Sequence, residues 1–170
     1  MNKALALKEI LVALQRDLDG LQTAVKLAHE SATHSESVAE NKYDTRGLEA
    51  SYLAYGQAMR AAEIEASLRE FEAIKPASLN LTPSMVTISS LVKLEDQDGV
   101  VRWVWLGSDA GGVKFEFEGN EITIITPHSP LGAALMGRAQ ADVFELNPKG
   151  TSSGRLQSDR AMEYEIIALY

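Results

Sequence analysis

The chain has no cysteine, which excludes a disulfide framework, a thiolate nucleophile and any metal site built on thiolates. Long apolar runs are missing as well. The N-terminal stretch is broken by Lys8, Glu9, Arg16 and Asp17 without a small-residue cleavage site after it. No segment reaches the roughly 18–20 uninterrupted apolar residues of a membrane span. A cytoplasmic protein with no membrane partner is expected. Basic charge is scarce: 16 Lys+Arg stand against 24 Asp+Glu, for a net charge of −8. Both halves of the chain are acidic, so counterion release cannot drive binding to a nucleic-acid duplex, and autonomous nucleic-acid binding is not expected. None of the five prolines precedes residue 76, leaving a long N-terminal stretch without a helix breaker.

That stretch carries apolar residues at helical spacing. Leu7, Leu11, Leu14, Leu18, Leu21, Val25 and Ala28 alternate steps of four and three, the mark of a coiled-coil seam. A second row reads Leu48, Tyr52, Tyr55, Met59 and Ala62, continued by Ile64, Leu68 and Phe71. Between them the periodicity lapses in HESATHSESVAENKYD, where Ser31, Thr33, Ser35, Ser37 and Asn41 offer side-chain acceptors that compete with helix. The spacing therefore predicts an antiparallel coiled-coil hairpin over residues 1–75, with an acidic turn near Ser31 to Asp44.

Lys75-Pro76 ends the second helix, and 76–84 reads as a linker. From residue 85 the period changes to two. Strands are expected at about 85–95, 100–106, 113–118, 121–126, 141–147 and 162–169. Asp98-Gly99, Gly107 to Gly112 and Gly119-Asn120 would serve as hairpin connections. One short helix interrupts the strands: Ser129 as N-cap, Pro130 at its first position, Leu131 to Met136, and Gly137 closing it. The fold class is α+β, a helical hairpin followed by a small antiparallel β domain at 85–170.

Few constellations could carry chemistry. The Gly-rich 107–112 follows a strand but leads into another strand, so it lacks the helix N-terminus that receives a phosphate and reads as a hairpin loop. His29, His34 and His128 are too scattered for a zinc site, and no serine is marked as an activated nucleophile. Four carboxylates, Glu30, Glu36, Glu40 and Asp44, cluster at the expected turn. A solvated surface accounts for such a cluster. A rigid rod carrying oxygen ligands for a hard cation such as Mg²⁺ into a site completed by another macromolecule accounts for it too.

The segment TPHSPLGAALMGR at 126–138 resembles the Ser-Pro-(Ile/Leu)-(Ala/Gly)-x-(Ala/Gly)-Leu-(Ile/Leu/Met)-Gly-(Lys/Arg) motif of the GreA/GreB family of bacterial transcription elongation factors. AENKYDTRGLEASYL at 39–53 is similar to the family's tip sequence, and the order of parts agrees along nearly the whole chain. The resemblance implies an FKBP-like C-terminal domain that docks on RNA polymerase at the rim of its secondary channel. Ser129, Pro130 and Leu131 would lie in the docking segment, with the hairpin inside the channel. It further implies that tip carboxylates hold a Mg²⁺ shared with the polymerase rather than stably bound, and that the polymerase does the chemistry. Glu40 transfers directly onto the family pattern as ligand and catalytic contributor, with Glu36 as a further candidate for both roles and Asp44 as a further candidate ligand. Lys42 and Arg46 would contact polymerase or nascent RNA inside that complex. Ser37 stands where the family has an aspartate, and Glu36 is one position away. A hydroxyl is a poorer Mg²⁺ ligand than a carboxylate, so a channel-occupying inhibitor is the alternative to a cleavage factor. An FKBP-type peptidyl-prolyl isomerase would need an aromatic pocket, for which Trp103, Trp105, Phe115, Phe117 and Phe144 are the candidates. A plain coiled-coil adaptor would account for the hairpin but leave the Ser-Pro helix unexplained.

Overall fold

The computed structural model describes residues 1–33, 46–76, 79, 83–146 and 161–170. Two long helices, α1 (Lys3–Thr33) and α2 (Arg46–Glu72), precede a six-stranded sheet. Its strands are β1 (Leu91–Asp96), β2 (Val101–Leu106), β3 (Lys114–Phe117), β4 (Asn120–Ile125), β5 (Val143–Leu146) and β6 (Met162–Leu169). A short helix, α3 (Pro130–Leu135), lies between β4 and β5. This is the α+β organisation expected from the change of period. Of the turn anticipated near Ser31 to Asp44, residues 31–33 belong to α1, and 34–45 lie outside the described residues, as do 77, 78 and 80–82 of the anticipated linker.

The chain divides into two compact units, one of Leu11–Ala73 and one of Met1–Ile10 with Ile74–Tyr170. In the helical unit, α1 buries Ala13, Leu14, Leu18 and Ala28, on or beside the seam read from the sequence. The second helix departs from expectation. Leu48, Tyr52, Tyr55 and Met59 are among its most exposed side chains, at 55%, 69%, 67% and 50%, and Ala62 is exposed too. The inward row is instead Gly47, Ala50, Ala54 and Gln57, half-buried, running on to buried Ala61, Ile64, Leu68 and Phe71. The reason is register. Ile64, Leu68 and Phe71 bury the most apolar surface, and steps of three and four taken back from them land on Ala61, Gln57, Ala54 and Ala50. The bulky row lies one to two residues further round the helix, about 150° away.

In the other unit, α1 is capped by Asn2, whose Oδ1 accepts from the Ala4 and Leu5 N–H groups at 3.1 and 3.3 Å. Ala6, Leu7 and Ile10 are buried. Lys3 is buried as well, and desolvation lowers its pKa from 10.5. A lowered base pKa means the unfolded chain holds the proton longer, so Lys3 adds stability as pH rises through the alkaline window up to 10.5.

The sheet order is β3-β4-β2-β1-β6-β5. Four of the five pairings are antiparallel, but β2 and β4 run parallel, with Trp103 opposite Ile122 and Trp105 opposite Ile124. The sheet is mixed rather than wholly antiparallel. Consequently 107–112 is not a hairpin loop: β4 sits between the two strands it joins. The loop passes round the end of β4, with Gly107 and Gly112 N–H donating to the Ile125 and Ile124 carbonyls at 2.9 and 2.8 Å. The β3–β4 connection is the tight hairpin expected. Glu118 and Gly119 both have positive φ, 49° and 77°, the pattern of a type I′ turn.

The first strand starts at Leu91 rather than at 85. Ser90 Oγ accepts the Thr87 N–H at 3.0 Å and Ser89 adopts φ 67°. The paired serines thus bend the chain into a turn where alternation alone reads as strand. Further on, β1 is joined to β2 through Asp96, whose Oδ1 accepts from the Asp98 and Val100 N–H groups at 3.1 and 2.9 Å. Removing this carboxylate with Asp96→Ala should cost about 1 kcal/mol, because two turn N–H groups lose their side-chain acceptor. Asp96→Asn, which keeps an oxygen there, should recover most of the loss; urea unfolding of the two variants measures the difference.

One sheet face packs Val92, Leu94, Val104, Leu106, Ile125, Phe144, Tyr164, Ile166 and Leu169 with Val86 and Leu135. The register places Leu91, Trp105, Ile122, Ile124, Phe115 and Phe117 on the other face, and all are buried.

Candidate functional site

The segment carrying the sequence motif is built by local chemistry. Ser129 has extended backbone (φ −73°, ψ 150°), and its Oγ accepts the Gly132 N–H at 3.1 Å while donating to the Thr126 carbonyl at 2.7 Å. Pro130 takes the first helical turn, where a missing N–H costs nothing. Gly132 is required by space: a Cβ there would sit 2.0 Å from the Thr126 carbonyl oxygen and 3.0 Å from Ser129 Oγ. The helix closes at Gly137, φ 76°.

The segment is also tied to its surroundings. Gly137 N–H donates to the Val86 carbonyl at 2.9 Å, and the Val86 N–H donates to the Arg138 carbonyl at 2.7 Å. Arg138 Nε donates to the Ala134 carbonyl at 2.6 Å, and its guanidinium lies 4.9 Å from the centre of the Phe144 ring.

Of the three docking candidates in this segment, Ser129 is half-buried and spent on capping, and Leu131 packs against the core. Only Pro130 faces outward. Exposed Ala133 and Met136 share α3 and its cap with it, and exposed Met85 adjoins the Val86 backbone bonds. The sequence offers Met85 and Met136 only as the first residue of a strand and the last of the short helix, with no signal that they are exposed.

A groove of about 580 Å³ opens beside α3, lined by Leu131, Ile125, Thr123, Arg102, Lys114 and Glu121 among others. Lys114 Nζ and Glu121 Oε1 form an ion pair across it at 2.7 Å. The aromatic candidates do not gather in one pocket. Phe144 is on the α3 side of the sheet, stacked on Tyr164, whereas Trp103, Trp105, Phe115 and Phe117 belong to the opposite face. Trp105 is fully buried, and its indole N–H meets no acceptor among the described residues.

No protein-family model matches the chain, and no curated protein does. Solved structures do. GreA factor homolog 1 (Gfh1) of Thermus thermophilus is 25% identical over 96% of this chain and 94% of its own, with a TM-score of 0.37. Thermus aquaticus Gfh1 is 27% identical over 100% of this chain and 96% of its own, with a TM-score of 0.38. A GreA/GreB elongation factor from Nitrosomonas europaea is 22% identical over 64% of this chain and 78% of its own, with a TM-score of 0.36.

The tip candidates Glu36, Glu40, Lys42 and Asp44 lie outside the described residues, together with Ser37 and His34, and the side chain of Arg46 is likewise not described. Among the described residues no group of three His, Asp or Glu side chains could hold a metal ion, and no helix is long and apolar enough to cross a membrane. His128 is exposed on the turn before α3.

Proposed function

We propose that this chain is a Gre-like factor that binds bacterial RNA polymerase at its secondary channel and, through residues 34–45, modulates elongation or promotes cleavage of backtracked RNA. The observation that supports the reading is the 126–138 segment. Each position that gives the motif its identity does a different physical job. Ser129 caps, Pro130 starts the helix, Gly132 makes room for Thr126, Leu135 fills the core and Gly137 stops the helix. A chance Ser-Pro pair in a loop would not need all five. The outward residues Pro130, Ala133 and Met136 are then the face offered to the polymerase. The chain contributes no catalysis of its own in this reading; the polymerase cuts the RNA.

The test is a stalled, backtracked elongation complex treated with the full chain. Affinity for polymerase core is the first expected result, and absence of affinity ends the proposal. Shortened transcripts would make the chain a cleavage factor, and Glu40→Ala should then reduce cleavage at least about tenfold, as expected when a carboxylate that helps to hold the shared Mg²⁺ is lost. Protection from cleavage by other factors would make it a channel inhibitor. That outcome is the one Ser37, in place of an aspartate, favours.

A further inference from the structure

Two rows run along α2, about 150° apart. The inner one, from Gly47 and Ala50 to Leu68 and Phe71, is used within the helical unit. The outer one, Leu48, Tyr52, Tyr55 and Met59, is 50–69% exposed. A row at steps of four, three and four stays on one face of a supercoiling helix and is matched to another helix rather than to a flat surface. It spans twelve residues, roughly 17 Å of helix. Tyrosine and methionine are enriched in the cores of protein interfaces, and a contiguous apolar strip of this kind marks an interaction surface.

The row also reads the same in both directions: aliphatic, aromatic, aromatic, aliphatic, at symmetric spacing. A two-fold axis between Tyr52 and Tyr55 brings Leu48 of one copy onto Met59 of the other and Tyr52 onto Tyr55. That is the self-complementarity an isologous interface requires. At its centre the row is flanked by the uncharged Ser51, Gly56 and Ala58, and Glu49 and Glu63 flank it only towards its two ends. A Cβ at Gly56 would meet nothing within 4 Å in the single chain, which leaves that side open to a neighbouring backbone.

We propose that α2 pairs antiparallel with α2 of a second copy of this chain through Leu48, Tyr52, Tyr55 and Met59. Each aromatic side chain brings up to about 150–250 Å² to such a contact, and the whole pair buries on the order of 1,000 Å², the lower end for a specific interface. The dimer is therefore weak and depends on concentration. The proposal rests on α2 alone and stands whether or not the chain binds polymerase.

Sedimentation of the full chain over a range of concentrations reads the equilibrium. The expected result is reversible dimerisation that weakens roughly 100-fold in the double variant Tyr52→Glu, Tyr55→Glu. Far-UV circular dichroism and the melting temperature should hold steady, since both side chains are exposed. Geometry is read separately, because the natural chain has no cysteine to confuse it. A mixture of Tyr52→Cys and Tyr55→Cys chains under mild oxidation should form the mixed 52–55 disulfide in excess over the 52–52 and 55–55 species. A chain that stays monomeric to millimolar concentration overturns the proposal. So does dimerisation indifferent to the glutamates, or a monomer whose glutamate variant loses affinity for polymerase core, which would assign the row to that partner.

Discussion

Replacing Gly132 with alanine should lower the melting temperature of the β unit by roughly 10 °C or more, corresponding to about 3 kcal/mol. The added methyl would stand 2.0 Å from the Thr126 carbonyl oxygen and 2.7 Å from its carbon, distances no van der Waals contact permits. Both neighbours are backbone, so no side chain can swing aside. Relief requires the 126–132 turn to open, which breaks the Ser129 bonds to Thr126 and Gly132 together. Calorimetric melting of the variant checks the magnitude. A variant melting within a degree or two of the parent would show that the turn is not packed as described. If the proposed docking holds, polymerase affinity should fall along with stability, because Pro130, Ala133 and Met136 are held outward by the same turn.

The second large effect is expected from Leu135→Ala. Leu135 is fully buried and belongs to the cluster of Val86, Val104, Ile125 and Phe144. Removing its side chain loses both transfer free energy and packing, for about 2–5 kcal/mol. The adjacent Met136 is 42% exposed, so Met136→Ala should change stability by no more than about 0.5 kcal/mol. Urea unfolding of both variants separates them. Polymerase binding should reverse the order: Met136→Ala weakens it while leaving the fold intact, provided that the outer face of α3 is the docking surface.

Much of the β unit was legible because its signals are local. Ser129, Pro130 and Gly137 announce α3 within nine residues, and Gly119 marks the β3–β4 turn, since each conformation is settled by the residue and its immediate neighbours. Ser89 and Ser90 shortened the first strand for an equally local reason that the alternation of apolar residues concealed. The acidic tip is a different matter. Glu36, Glu40 and Asp44 were placed at the turn by the lapse in periodicity, take a metal-holding role only from resemblance, and lie outside the described residues.

By itself the sequence determined the two long helices, the change of period after Pro76, most strand positions and the capped helix, all of which depend on residues within a turn or two of one another. Only the tertiary structure decided that β4 lies between β2 and β3 and runs parallel to β2, because strand pairing joins residues whose side-chain pattern is the same in either direction. Tertiary structure also chose between the two rows of α2. Both have coiled-coil spacing, and nothing local ranks them. Burial of Ile64, Leu68 and Phe71 turns the small residues inward and leaves Leu48, Tyr52, Tyr55 and Met59 facing out.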